Sequence, residues 1–239
     1  MIVFISLKKR KIEIIRLRVQ YVKMNFKEWE PIYKEILCDF GWRRESDEQA
    51  ARLLSRLLSG KSIDITELRD RIKGKDVLVC GNAPTLSQDL EKTDVKLYMI
   101  IAADGATSTL LEKGIVPDII VTDLDGDIPD EIEASRRGAI MVVHAHGDNI
   151  DKLNIVKELS NVIGTTQSKP LSNIYNFGGF SDGDRCVFLA HAFGARNITL
   201  IGFYFEDENV TEMKKKKLRW ARKLIGMIPG VINRSSVAD

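Results

Sequence analysis

The stretch MIIAADGATSTLLEKGIVPDIIVTDLDGD, residues 99–127, combines two short apolar runs with one helical pattern. The runs MIIAA and DIIVT have the length and composition of buried strands, and each is followed at once by acidic residues and glycine. Between them, ATSTLLEKG has the apolar spacing of a short helix and ends in a glycine, a common helix terminator. A strand, a helix and a second strand in this order predict a βαβ unit with parallel strands.

The same alternation continues from residue 76 to residue 203. Helical patterns separate most of the apolar runs, which is typical of a sheet with helices on its faces. We therefore expect an α/β fold with a Rossmann-like, mostly parallel sheet and flanking helices. The six runs are DVLVC (76–80), KLYMIIAA (96–103), DIIVT (118–122), AIMVVHA (139–145), NVIGTT (161–166) and NITLIGF (197–203).

The residues upstream of the first run have a different character. Residues 26–73 show apolar residues at helical spacing, with glycines where helices would end. We expect an N-terminal helical segment at 24–74, followed by an α/β domain at 75–239.

The basic residues are concentrated at the start of the chain. Residues 1–23 hold seven Lys or Arg and one Glu, whereas the whole chain has a net charge of +2, so the remainder is net acidic. We expect 1–23 to be a basic extension outside the fold, with Met24 as the natural start. A basic nucleic-acid-binding arm is the alternative. For the domain itself we expect no nucleic-acid partner.

The composition also bounds the class of protein. The chain has 239 residues, of which 44% are hydrophobic, which is enough for one sizeable core. No apolar stretch approaches the roughly 20 residues of a membrane helix, so we expect no membrane partner. The three cysteines fit neither a zinc spacing nor a disulfide framework, which indicates a reduced, cytoplasmic compartment.

Carboxylates cluster where the third run ends, at Asp123, Asp125 and Asp127. In a tight loop they would repel one another unless a cation lay between them. Mg²⁺ commonly takes one or two carboxylates together with phosphate oxygens, so the pattern indicates a metal–phosphate site. An EF-hand does not fit, because position 128 is Ile where that loop needs Gly. A helix N-cap at Asp127 is the structural alternative.

Two other runs end in glycine beside a polar residue, Gly81-Asn82 and Asp104-Gly105. Glycine lets the backbone approach a ligand closely, and a small-residue turn into a helix N-terminus is a phosphate-binding geometry. In open α/β sheets, ligands bind beyond the carboxyl ends of the strands, where these turns are expected. Taken alone, each turn is equally consistent with an ordinary strand-to-helix connection.

Two further motifs carry polar residues. In HAHGDN (144–149), His144 and His146 would share a strand face and suit a transition metal, but the neighbouring carboxylates favour Mg²⁺. We expect His146 and Asp148 to face substrate or phosphate instead. In NFGGFSDGDR (176–185), the glycines allow backbone approach and the final arginine suits phosphate charge, with a helix-capping loop as the alternative.

These five motifs together resemble the archaeal 6-hydroxymethyl-7,8-dihydropterin pyrophosphokinases. The elements GNAPTL, AADGA, PDIIVTDLDGD, HAHGDN and NFGGFSDGDR occur in the same order, over roughly 25–235. The AADGA-to-DLDGD part is also distantly similar to the core of the thiamin pyrophosphokinases. Those enzymes carry a C-terminal β-sandwich that helps to bind thiamin, whereas a helical, lysine-rich pattern follows the last run here, which favours the pterin family.

The resemblance implies transfer of the terminal diphosphate of ATP to the hydroxymethyl group of a reduced pterin, with Mg²⁺ as cofactor and release of AMP. A homodimer is consistent with this resemblance. One Asp or His146 is expected to accept the hydroxyl proton. The implied catalytic residues are Asp123, Asp125 and Arg185, and the implied metal ligands are Asp104, Asp123, Asp125 and Asp127. The implied nucleotide-binding residues are Gly81, Asn82, Asp104, Gly105, Gly178, Gly179, Asp182 and Asp184, and the substrate-binding residues are His146, Asp148 and Asn149.

Two other classes of function stay open. A nucleotide-sugar-dependent, glycosyltransferase-like protein would also use an Asp-x-Asp pair and Mg²⁺. A catalytically silent nucleotide-binding module is the second class, and the intact Asp123, Asp125 and Arg185 count against it. Candidates for stacking on a flat pterin ring are Phe177, Phe180, Tyr204 and Phe205.

Overall fold

The computed structural model describes residues 24–236. Within this range, eight strands form one sheet in which every pairing is parallel. The strands are β1 (Asp76–Cys80), β2 (Met99–Ala103), β3 (Ile119–Thr122), β4 (Ile140–Ala145), β5 (Val162–Thr166), β6 (Ile174–Tyr175), β7 (Asn197–Ile201) and β8 (Val231–Asn233). Their order across the sheet is β6-β5-β4-β3-β2-β1-β7-β8.

Helices connect these strands and precede the first of them. The α-helices of the described range are α1 (Phe26–Phe40), α2 (Arg44–Leu57), α3 (Ile65–Ile72), α4 (Leu86–Glu91), α5 (Ala106–Glu112), α6 (Ile128–Arg136), α7 (Asp182–Ala192) and α8 (Glu212–Ile225). Two 3₁₀ segments, Val95–Leu97 and Gly147–Lys157, complete the connections. In this part of the chain no helix has the length and apolar content needed to cross a bilayer.

The sheet is buried on both faces, which explains why its strands are nearly continuous apolar runs. Along β1, Val77 and Val79 pack into one hydrophobic layer, while Leu78 and Cys80 pack into the other. The first layer is covered by α1, α3, α7 and α8, and the second by α2, α4, α5 and α6. The alternation follows from the two-residue period of a strand.

The predicted N-terminal helical segment consists of α1, α2 and α3. Its first helix is capped by Asn25 and Glu28, which satisfy each other's backbone donors, and it ends at Gly41 with φ 69°. Since α1 and α3 pack on one face of the sheet and α2 on the other, the segment shares both hydrophobic layers with residues 75–236. The hydrophobic core is therefore continuous across residue 75, where the sequence pattern changes. The basic extension predicted at 1–23 lies outside the described residues.

All six strands predicted from the sequence are present, and the Rossmann-like α/β fold is confirmed. The sheet is entirely parallel. The short strands β6 and β8, of two and three residues, have no counterpart in the predicted runs.

The strand order places a crevice between β1 and β7. From β1 the chain runs outward in one direction to β6, and α7 then carries it back to β7 on the other side of β1. Connections that diverge in this way leave a crevice at the carboxyl ends of the two strands, where ligands bind in open α/β sheets. The backbone is tight at this point, because a Cβ on Gly81 would lie 2.5 Å from the carbonyl oxygen of Gly202.

Candidate active site

Three carboxylates meet at the carboxyl edge of the sheet. Asp104 follows β2, and Asp123 and Asp125 follow β3; one ligand oxygen from each lies within 4.8 Å of the others. Asp104 adopts φ 27°, a left-handed conformation that is unusual for a residue with a side chain. A Cβ on Gly126 would lie 1.9 Å from Oδ1 of Asp104, so only glycine at position 126 leaves room for this carboxylate. We call Asp104, Asp123 and Asp125 the acidic triad.

Among residues 24–236, no positive or donor group is hydrogen-bonded to the carboxylate of Asp104. It is 5% exposed, and neither oxygen accepts a hydrogen bond from a donor group within the described residues. Burial, followed by the charges of Asp182 and Glu131, raises the pKa of Asp104 to about 11. A bound cation would supply the missing positive charge, and hard carboxylate oxygens are the ligands that suit Mg²⁺.

The pKa of Asp123 is shifted in the opposite direction from that of Asp104. Its Oδ2 lies 3.1 Å from Nε2 of His146, and its Oδ1 has no partner in the part of the chain that the structure describes. Burial alone would raise the pKa of Asp123, but the hydrogen bond from His146 and the charge of Arg185 outweigh it and hold the pKa well below its usual range. Asp123 therefore stays ionised at neutral pH, with one oxygen free for a cation.

Glu131 is a buried carboxylate that belongs to none of the five sequence motifs. It lies on α6, is 1% exposed, and neither of its oxygens accepts a hydrogen bond from a donor group among residues 24–236. Burial raises its pKa, and the charges of Asp123 and Asp125 act in the same direction. The sequence signal for it is weak, because an acidic residue in the first turn of a helix normally has no function beyond the helix dipole.

Asp127, predicted as a metal ligand, is not brought into the acidic triad. Its Oδ1 accepts a hydrogen bond from the backbone N–H of Asp130 at 3.1 Å, which makes it the N-cap of α6. Its backbone is extended, as an N-cap requires. The structure therefore gives Asp127 the capping role that was the alternative for this residue.

The loop before α7 is tightly packed and rich in glycine. Gly178 and Gly179 have φ of 86° and 88°, and a Cβ on Gly179 would lie 2.7 Å from the Cα of Arg185. Asp184 is fully buried and accepts hydrogen bonds from the backbone N–H groups of Phe180 and Ser181. The side chain of Asp184, predicted to bind the nucleotide, thus holds this loop in place and does not line the cavity described below.

Arg185 and Asp182 form a pair at the start of α7. Nη1 of Arg185 donates to Oδ1 of Asp182 at 3.0 Å, and Nη2 donates to Oε1 of Gln167 at 3.5 Å. Burial and the charge of Asp123 raise the pKa of Asp182 to about 8, although Arg185 opposes the shift. The guanidinium, which is 7% exposed, is the positive charge that faces the acidic triad from this helix.

A cavity of about 490 Å³ opens between the acidic triad and α8. Its floor is the crevice between β1 and β7, and Asp104 and Asp125 lie on its wall. The side chain of Asn82 packs closely on the turn at Gly105, since a Cβ on Gly105 would lie 2.3 Å from Nδ2 of Asn82. The other lining residues include Pro84, Asp182, Gly183, Tyr204, Phe205 and Lys214. We call this space the large cavity; its size is in the range of small-molecule sites.

The three residues predicted to bind substrate have different positions. Nδ1 of His146 accepts from the backbone N–H of Asp148 at 3.3 Å, so the ring proton is on Nε2 and points to Asp123. Asn149 is buried and donates to the carbonyl oxygens of Asp123 and His144, both at 2.7 Å. Asn149 therefore braces the ends of β3 and β4, whereas the side chain of Asp148 is exposed.

The aromatic residues predicted to stack on a ring also divide into two groups. Phe177 and Phe180 are 5% and 4% exposed and belong to the hydrophobic core. Tyr204 and Phe205 line the large cavity. A flat ring in this cavity would therefore meet Tyr204 and Phe205.

The site as a whole can bind a polyanion through a cation. Several carboxylates share a largely buried space, and burial raises the pKa of Asp104, Glu131 and Asp182. Glycine turns bring backbone next to the same space. Charge neutralisation and positioning are what phosphoryl transfer requires, and covalent catalysis by a side chain is not needed.

Comparisons with known proteins agree with this arrangement. The family model described as 6-hydroxymethylpterin diphosphokinase MptE-like matches residues 51–209. A protein of Pyrococcus furiosus named 6-hydroxymethyl-7,8-dihydropterin pyrophosphokinase is 47% identical over 216 residues, which cover 84% of this chain and 93% of that protein. A protein of the same name from Methanocaldococcus jannaschii is 40% identical over 232 residues, which cover 86% and 96%.

A solved structure shares the fold. The Maf glycosyltransferase of Magnetospirillum magneticum AMB-1 matches 70% of this chain with a TM-score of 0.51 and 17% sequence identity. This chain corresponds to 32% of that larger protein, so the likeness concerns the fold alone. The sequence comparisons establish the family as well as the fold, because the family model spans more than half of the chain. This chain belongs to the 6-hydroxymethylpterin diphosphokinase MptE-like family.

Proposed function

We propose that this protein transfers the terminal diphosphate of ATP to the hydroxymethyl group of 6-hydroxymethyl-7,8-dihydropterin and releases AMP. The observation that carries the proposal is the acidic triad at the wall of the large cavity, at the crevice of a parallel sheet. The names of the relatives support the choice of acceptor. In the reaction the acceptor oxygen forms a bond to the β-phosphorus, the bond from that phosphorus to the α,β-bridging oxygen breaks, and the acceptor proton is released.

Asp104, Asp123 and Asp125 would hold Mg²⁺. The unpartnered oxygens of Asp104 and Asp123 support this assignment, because buried carboxylates without donors are stabilised by a cation. When bound, Mg²⁺ supplies charge neutralisation for the phosphate chain. Asp127, which caps α6, is not part of the proposed ligand set.

The protein's own groups would position ATP. Gly81, Asn82 and Gly105 line the large cavity and would face the phosphate chain, and Tyr204 and Phe205 offer ring faces to the nucleobase. Lys214 on α8 lines the same cavity and can pair with a phosphate oxygen.

Other residues would act through their neighbours. His146 donates to Asp123 and fixes the direction of that carboxylate. Since its second ring nitrogen accepts from the backbone of Asp148, His146 is better suited to positioning than to accepting the hydroxyl proton. Arg185 lowers the net negative charge of the site while Asp182 and Gln167 hold its guanidinium.

Product analysis tests the proposal. The protein is incubated with ATP and Mg²⁺, with the dihydropterin in one tube and thiamin in a parallel tube, and AMP and diphosphorylated acceptor are measured. We expect AMP and product with the pterin alone. Asp123→Asn and Asp125→Asn should each abolish product formation, whereas Asp151→Asn, which changes an exposed carboxylate on the 3₁₀ segment, should leave the rate unchanged.

The parallel tube separates the alternatives. Product with thiamin alone would refute the pterin assignment, although after β7 the described residues form α8 and β8 and no β-sandwich. Absence of product in both tubes would refute a pyrophosphokinase acting on either acceptor.

A further inference from the structure

A second, smaller cavity of about 200 Å³ lies between the N-terminal helical segment and the end of β4. One wall comes from the turn after α1 and the start of α2, and the other from the start of the 3₁₀ segment. The lining residues that matter are Trp42, Ser46, Asp47, His146, Gly147 and Asp148. We call this space the small cavity.

The two cavities are linked to the acidic triad through different residues. The large cavity is lined by Asp104 and Asp125, and it shares no lining residue with the small cavity. The small cavity is lined by His146, whose Nε2 lies 3.1 Å from Oδ2 of Asp123. A group in the small cavity that reached past His146 would therefore meet the acidic triad without entering the large cavity. Displacement at phosphorus needs separate places for the acceptor and the leaving group, because the attacking and leaving oxygens are roughly in line.

The walls of the small cavity combine an indole with carboxylates. Trp42 is half-buried and stacks on Phe40 with ring centroids 4.7 Å apart, which fixes the orientation of the indole. The side chain of Asp148 is exposed, and its backbone N–H donates to Nδ1 of His146. A flat heterocycle with a 2-amino group and a ring N–H presents two donors on one edge and π-faces on either side. A carboxylate and an indole are the partners that such a ring needs.

The small cavity is rigidly built. Asp47, which is 5% exposed, accepts hydrogen bonds from the backbone N–H of Gly147 at 2.8 Å, from Tyr33 Oη at 2.6 Å and from Nε2 of Gln167 at 2.7 Å. A Cβ on Gly147 would lie 2.7 Å from Cβ of Ser46, so α2 packs closely against the start of the 3₁₀ segment.

The hydrogen bonds of Asp47 continue through Gln167 to the start of α7. Gln167 also accepts from Arg185, which pairs with Asp182. The helices of the N-terminal segment are therefore connected through buried hydrogen bonds to residues that face the acidic triad.

We propose that the small cavity is the acceptor site: the pterin ring lies against Trp42 with its amino edge toward Asp148, and its hydroxymethyl group points past His146 to Asp123. This rests on the proposed function and adds that the N-terminal helical segment forms half of the acceptor site. The smaller of the two cavities thus takes the smaller substrate.

Blocking the small cavity tests the inference. Ser46→Trp places a large side chain at its wall, while Gln49→Trp places the same side chain at an exposed position on the same helix. KM and kcat are measured for the pterin and for ATP, and the Kd of the pterin is measured by equilibrium dialysis with Mg²⁺ and a non-hydrolysable ATP analogue. For Ser46→Trp we expect the KM and Kd of the pterin to rise by about tenfold or more, which is the scale of losing a base–aromatic stack, with the KM of ATP unchanged. Gln49→Trp should match the wild type.

Two further variants keep the test decisive if Ser46→Trp misfolds. Trp42→Ala and Asp148→Asn remove the stacking face and the carboxylate, and each should raise the KM of the pterin without changing that of ATP. Wild-type pterin KM and Kd in all three variants would overturn the acceptor-site inference and leave the proposed function standing. A wild-type protein that forms no AMP with the pterin would overturn the proposed function itself, so the two failures are distinguishable.

Discussion

Replacing Asp104 by Asn should stabilise the metal-free protein, and increasingly so as the pH rises. The pKa of Asp104 is about 11 in the folded protein, against 3.8 for an unperturbed aspartate. At neutral pH the folded protein therefore retains a proton that the unfolded chain releases. Because the folded state binds more protons, the free energy of unfolding falls as the pH rises between these two pKa values.

The magnitude follows from this linkage. One retained proton changes the free energy of unfolding by about 1.4 kcal/mol per pH unit. Between about pH 6 and about pH 8, the wild type should lose on the order of 3 kcal/mol through this group, a loss that Asp104→Asn cannot show. For a chain of this size, that corresponds to a difference of roughly 6–12 °C in Tm. The substitution keeps the shape of the side chain, and its amide can donate to Glu131.

The assay is thermal unfolding in EDTA at both pH values. Asp151→Asn is the matched control, since it removes an exposed carboxylate outside the site and should follow the wild type. Added Mg²⁺ should raise the Tm of the wild type and of the control but not that of Asp104→Asn, because a ligand stabilises only the state that binds it. Equal pH slopes for the wild type and Asp104→Asn would refute the claim that Asp104 holds a proton.

Three other substitutions test neighbouring features. Gly126→Ala should abolish Mg²⁺ binding, measured by calorimetry, while the far-UV CD spectrum stays unchanged, because the new Cβ would displace the carboxylate of Asp104. His146→Ala should raise the pKa of Asp123, because it removes the hydrogen bond that lowers this pKa. The acidic limb of the pH profile of kcat/KM should therefore move to higher pH. An acidic limb at the wild-type pH would contradict this prediction. Asp184→Ala should cost about 2–4 kcal/mol in urea unfolding, because it leaves buried backbone donors of the loop without acceptors.

Local pattern was sufficient to predict the central sheet. Strands β1 to β5 and β7 are apolar runs bounded by turns, and their burial on both faces is what makes them recognisable. Strands β6 and β8 are too short to show a periodic pattern of apolar residues. They form because they pair with β5 and β7 at the edges of the sheet. Pairing with a distant strand leaves no local signal in so short a segment.

The sequence predicts the candidate site to the extent that the ends of strands can be recognised in it. Asp104, Asp123 and Asp125 follow directly after strands, so their convergence follows from the parallel sheet. Asp182 and Asp184 look equivalent in sequence, but residues two apart on a helix point about 200° away from each other. Only Asp182 therefore reaches the cavity.

The small cavity depends on contacts between distant parts of the chain. Asp47 and Gly147 are joined by a hydrogen bond across 100 residues, and no periodicity in either segment indicates that contact. The same holds for Glu131, whose place beside Asp104 depends on how α6 packs against the sheet. Both features become visible only once the tertiary structure is known.

The close contact of Gly81 and Gly202 limits how this protein could acquire a new substrate. A Cβ at either position would lie within 2.5 Å of the other's carbonyl oxygen, so the floor of the large cavity cannot be reshaped by side-chain replacement. Changes in substrate preference must come from the surrounding walls. Residues of α8 line the large cavity and the N-terminal helices line the small cavity, and both elements lie outside the βαβ units. Attempts to redirect the enzyme by directed evolution should therefore randomise α8 and the turn between α1 and α2, and leave the strand ends untouched.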